Sequence, residues 1–235
     1  MQPSTFAISD WQPSEQTSGY WLISLTLTSP ALFDVGARFW LDDHSEPLLL
    51  FHQTLQTNHV KLQLLSQANF AETPPPKQLH SRPPKSPTVI PGTKNLLILG
   101  SGVEIANLFY IAKQRQSFHA SGQTLALLHS EQGFPFTVKP ARFMLPEMPA
   151  EAIGACPLLE DWKISNRLAS DLGLPGCFDG RLADLLEQWI QYHRLQSETK
   201  PWQVIACLPN DMQKKCLEIC QSTDWLNFTG INYNI

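Results

Sequence analysis

Leu96–Lys113 reads LLILGSGVEIANLFYIAK, and few local folds accept such a stretch. An apolar run ends at Gly100-Ser101-Gly102, after which Ile105, Leu108, Phe109 and Ala112 return at spacings of three and four. The pattern predicts a buried strand, a tight glycine turn and a helix. Such a unit opens a nucleotide-binding α/β domain, because glycines let the backbone approach a pyrophosphate and the helix start offers amides and a positive dipole end. Glu104 opposes that use, since a carboxylate near the helix start repels phosphate. The glycines could equally serve only to pack the strand against the helix.

Strands and helices alternate from Leu96 onward, which predicts an open parallel sheet with crossover helices. Thr124–Ser130, Asn166–Ser170 and Trp202–Cys207 are the next strands, and Asn227–Ile235 is a candidate edge strand. Gly180–Leu195 is an amphipathic helix with Leu182, Leu185, Leu186, Trp189, Ile190 and His193 on one face. Ala150–Trp162 reads as a short helix limited by Pro157, and Asn210 or Asp211 as the cap of a helix running to about Cys220.

Upstream, Tyr20–Thr28, Ala37–Leu41, Pro47–Phe51 and Val60–Leu65 are short apolar runs separated by polar turns. They predict a small antiparallel β-barrel or sandwich. Prolines at 74–76, 83, 84, 87 and 91 break the composition between the two patterns. The expected organisation is a barrel over 1–70, a proline-rich connector over 71–93 with room for a barrel strand, and an α/β domain over 94–235.

A net charge of −4 without any basic stripe excludes a nucleic-acid binder. No apolar run reaches a membrane-span length and no signal-like start is present, so a cytoplasmic protein is expected. The 5 cysteines include no CxxC pair; Cys216 and Cys220 share a helix face and read as buried small hydrophobes. His52 and His59 are placed to meet across a hairpin, without a third ligand for a metal. His129, at the carboxyl end of a predicted strand, lies where open α/β sheets bind ligands. The residues suggest neither a nucleophile triad nor a carboxylate pair, so hydrolytic chemistry has no candidate.

LLILGSGVEIANLFYIAK, ASDLGLPGCFDGRLADLL (Ala169–Leu186) and VIACLPNDMQKKC (Val204–Cys216) together resemble the ferredoxin–NADP reductase superfamily. In spacing they are most similar to the electron-transfer subunit of dihydroorotate dehydrogenase. The resemblance implies a flavin-binding barrel followed by a nicotinamide-binding domain, with hydride passing between the two cofactors, and a protein redox partner or catalytic subunit. It implies nucleotide contacts from Gly100, Ser101, Gly102, Val103, Glu104, Ser170, Asp171, Cys207, Leu208, Pro209 and Asn210, with Cys207 beside the nicotinamide.

This sequence departs from the family's pattern where cofactors bind. The third glycine of the turn is Glu104, and the glycine of the family's Cys-Gly-Pro is Leu208, so both exchanges put charge or bulk where a dinucleotide would lie. The arginine of the family's flavin segment is missing from Ser45–Phe51, which argues against tight FAD or FMN; Arg38 and Arg82 are the available substitutes. The chain lacks the cysteine cluster of a [2Fe–2S] centre, and none is expected. Two expectations follow: a reductase-like oxidoreductase with impaired or altered cofactor binding, NAD(P)H being the cofactor still supported, or a non-catalytic scaffold of that fold that binds a protein or another small ligand.

Overall fold

A computed structural model describes residues 4–42, 44–196 and 200–231. The chain divides into two compact units, the first running to Val89 and also taking in Ile231, the second spanning Ile90–Gly230.

The first unit is a closed antiparallel barrel of β1 (Ser4–Glu15), β2 (Trp21–Leu27), β3 (Arg38–Trp40), β4 (Leu48–Leu55), β5 (Val60–Ser66) and β6 (Gln78–Arg82), in the order β1-β2-β5-β4-β3-β6. Its interior follows the period-two rule. Ile23, Leu25 and Leu27 of β2, Phe39 of β3, and Val60, Leu62 and Leu64 of β5 are all buried. Each contributes about 1.5–3 kcal/mol by leaving water. β6 lies inside the proline-rich stretch and closes the barrel by pairing with both β1 and β3. His52 is opposite Gln63, so the β4–β5 hairpin does not bring it to His59.

The second unit is built on a six-stranded parallel sheet. In chain order its elements are β7 (Asn95–Ser101), α1 (Ile105–Ser117), β8 (Thr124–Ser130), β9 (Lys139–Pro140), β10 (Gly154–Ala155), α2 (Pro157–Asp161), β11 (Ser165–Ser170), β12 (Phe178–Asp179), α3 (Leu182–Arg194), β13 (Trp202–Cys207), α4 (Asn210–Gln221) and β14 (Leu226–Gly230). The sheet order is β12-β11-β8-β7-β13-β14, while β9 and β10 form a separate pair. From β7 the chain proceeds outward through β8 and β11, then returns to the other side of β7 with β13. The β7 and β13 carboxyl ends therefore flank the switch point where open α/β sheets form their crevice. Leu97, Leu99, Leu125, Leu127, Val204 and Ala206 pack with α3 and α4 residues in one apolar cluster. Gly100, on the opposite face, packs against Leu108 and Ile105 of α1.

Three local expectations change. α4 begins at Asn210 with Pro209 in the capping position and no side-chain cap bond, because proline has already set the entry angle. Helix over 150–162 is confined to Pro157–Asp161, since Gly154–Ala155 pairs with β9 and proline sits at the helix start. The edge strand is Leu226–Gly230; positions 232–235 of the expected strand lie outside the described residues.

Candidate functional site

β7 delivers Gly100, Ser101 and Gly102 to the carboxyl edge, where Gly102 takes φ +59 and a short 3₁₀ turn over Gly102–Glu104 leads into α1. The two glycines serve different ends. A Cβ on residue 100 would stand 2.7 Å from Leu108 Cδ1 and 3.3 Å from Ile105 Cγ2, so this glycine is needed for helix–strand contact. Gly102 needs its left-handed backbone, and the nearest atom to a Cβ there would be Glu104 Oε2 at 3.7 Å. The Glu104 carboxylate thus folds back over the turn. A pyrophosphate at this turn would meet a negative group where the fold type usually offers amides.

Register brings Cys207 opposite Gly100. Cys207 is fully buried, and burial first, then the charge of Glu104, pushes its thiol well above the usual range. It is a neutral, enclosed group, unlike the accessible thiolate of reactive cysteines. Leu208 is also fully buried and belongs to the apolar cluster under α3 and α4. The expectation that its bulk fills the cleft is corrected: the side chain turns into the core, driven by its own transfer free energy. Pro209 and Asn210 are exposed at the start of α4, and Val103 is partly exposed in the turn.

Ser170 and Asp171 separate in role. Ser170 is buried, with its hydroxyl donating to the Ser130 carbonyl at 3.0 Å and accepting from the Leu172 amide at 3.2 Å. Asp171 instead reaches across the edge to His129 Nε2 at 3.0 Å, and His129 Nδ1 lies 3.0 Å from Ser101 Oγ. A carboxylate only accepts, so Nε2 carries the proton; in the neutral ring Nδ1 then accepts from the Ser101 hydroxyl. His129 is completely buried and Ser101 is 4% exposed, while the Asp171 side chain is 41% exposed. One polar chain thus joins the ends of β7 and β8 to the residue after β11. Sequence reasoning named all three residues separately. The chain itself spans separations of 28 and 42 positions, which no local spacing reveals.

On the barrel, Arg38 is directly opposite Arg82 between β3 and β6. Residues paired this way share a face. The Arg82 guanidinium lies 5.5 Å from the centre of the Trp40 ring on that face, while Asp42 accepts from His80 at 2.6 Å. A guanidinium beside an aromatic ring, with a second arginine opposite it in register, offers donors and a stacking face suited to a phosphate-bearing aromatic ligand. The two arginines named as substitutes are therefore brought together.

Comparison with solved structures finds chains of similar fold. An NADH-dependent reduced ferredoxin–NADP oxidoreductase matches with TM-score 0.61 at 13% identity, over 97% of this chain and 75% of that one. The Amycolatopsis cytochrome P450 reductase matches with TM-score 0.60 at 14% identity, over 96% and 69%. The Plasmodium falciparum ferredoxin–NADP+ reductase matches with TM-score 0.56 at 10% identity, over 98% and 96%. The chain has the ferredoxin reductase-like fold. No protein-family model and no curated protein sequence matches it. Among the described residues, no helix is long and apolar enough to cross a membrane. No group of three or more His, Cys, Asp or Glu among them is placed to hold a metal ion.

Proposed function

We propose that this chain is a reductase-like oxidoreductase or electron-transfer subunit whose use of the nicotinamide nucleotide is impaired. The observation that carries the reading is the Glu104 carboxylate lying over Gly102. The fold supplies the reductase half of the proposal. Similar solved structures include a ferredoxin reductase of carbazole 1,9a-dioxygenase and a cytochrome P450 reductase, which supports a protein redox partner here. The motif spacing keeps the dihydroorotate dehydrogenase electron-transfer subunit as the model for such a partnership.

Flavin stands differently from nicotinamide. Arg38 and Arg82 would hold its phosphate, with Trp40 beside them, and a bound flavin supplies one- and two-electron transfer. The missing arginine of Ser45–Phe51 weakens that grip, so flavin should leave on purification and return when supplied. The test is to titrate NADH, NADPH, FAD and FMN into the purified protein by calorimetry. Micromolar flavin binding that falls in Arg82→Ala, with NADH and NADPH binding only weakly, at roughly millimolar levels, is expected. Tight NADH or NADPH binding with turnover would overturn the impaired-nucleotide reading. Absence of all four together with capture of a protein ligand would favour the non-catalytic scaffold.

A further inference from the structure

We propose that Ser101, His129 and Asp171 form an acyl-transfer site that hydrolyses small uncharged or cationic esters, an activity independent of any nicotinamide or flavin use. The argument is geometric. A serine nucleophile needs a base within hydrogen-bond reach, and that base needs a third group to fix its tautomer. Here the two links are both 3.0 Å, from Ser101 Oγ to His129 Nδ1 and from His129 Nε2 to Asp171 Oδ2. Ser101 also occupies the place where such a residue is most useful, at a strand end between two glycines with a helix starting immediately after it.

The step balances without a cofactor. Ser101 Oγ attacks the ester carbonyl carbon as its proton passes to His129 Nδ1, forming a C–O bond. The old C–O bond breaks and the departing alkoxide takes that proton. Water then repeats the sequence on the acyl-serine, giving one acid and one alcohol. Asp171 stays ionised throughout and holds the imidazolium between the two transfers.

Charge and access set the substrate class. Glu104 stands over the turn and Asp171 is exposed beside it, so a carboxylate-bearing ester meets repulsion from both. Ser101 is 4% exposed and His129 fully buried, which restricts the proposal to slim acyl groups. Acetyl esters fit this description better than long or branched ones.

The test uses the full chain with a small neutral fluorophosphonate, followed by intact mass and peptide mapping. A single adduct on Ser101 is expected, absent in Ser101→Ala and formed at least tenfold more slowly in Asp171→Asn. Hydrolysis of 4-nitrophenyl acetate should exceed that of its succinate half-ester analogue at least tenfold, and Glu104→Gln should narrow the gap. No adduct on the wild-type protein, an adduct elsewhere, or acetate hydrolysis unchanged in Ser101→Ala would overturn the proposal. If Ser101→Ala proves unstable, Ser101→Cys provides the second reading. His129 acting as base would make that thiol alkylate with iodoacetamide at pH 6, whereas silence there and in wild-type labelling overturns the assignment.

Discussion

Leu108 closes so tightly on Gly100 that its Cδ1 stands 2.7 Å from the position any β-carbon on residue 100 would occupy. The contact joins α1 to the central strand of the sheet, and Ile105 seals it from the other side. Gly100→Ala should therefore cost about 1–3 kcal/mol by overpacking, despite alanine's better strand entropy. Urea unfolding will read this as a lower midpoint with an unchanged slope. An unaltered midpoint would mean that α1 is free to slide, and that Gly100 is kept for something other than packing.

Glu104 acts on ligands and should have little effect on stability. Its carboxylate sits at a helix start, where a negative group favours the helix but opposes an incoming phosphate. Glu104→Gln should strengthen AMP and NADH binding by about 1 kcal/mol, or roughly fivefold. The gain should shrink in 0.5 M salt as screening removes the same repulsion. Calorimetry that finds identical affinities in the two proteins, at low salt, would sink this account of the turn.

Leu208 has to be tested in the opposite sense. It is fully buried among the residues under α3 and α4, so Leu208→Ala removes core and opens no cleft. A loss of about 2–5 kcal/mol is expected from transfer and cavity terms together. Nucleotide affinity should be the same as in the wild type. Improved NADH binding in Leu208→Ala, without loss of stability, would return this side chain to the cleft.

The parallel sheet was legible because each of its long strands is buried on both faces. Thr124–Ser130 and Trp202–Cys207 are nearly uninterrupted apolar runs and were located to the residue. Ser4–Glu15 is the longest strand of the barrel and carries no such mark. Its pattern is mostly exposed, and its partners β2 and β6 supply its order. β6 was hidden for a related reason, being a five-residue strand set among prolines whose strand partners are 40 or more positions away. At the site, the glycine turn could be read directly, but the inward turn of Leu208 and the Ser101–His129–Asp171 chain depend on strand register. Register joins residues that the linear sequence keeps apart.

The cysteines give a prediction with a definite sign. Burial is the first cause that raises the thiols of Cys156, Cys216 and Cys220 to about 12 and that of Cys177 to about 11. The ordinary value is 9.0, so the unfolded chain ionises first as pH rises. Their contribution to stability is fully present below about pH 8.5 and declines as pH climbs toward the folded values, by up to about 1.4 kcal/mol per pH unit for each thiol. Urea midpoints should fall between pH 9 and 11, and Cys156→Ala should fall less steeply than the wild type. A thiol-specific disulfide reagent at pH 8 should titrate all 5 cysteines in urea and none of them quickly in the native protein. Rapid native reaction at Cys207 would contradict its burial and revive a direct part for that sulfur in redox chemistry; silence there leaves Cys207 as packing beneath the turn that Glu104 covers.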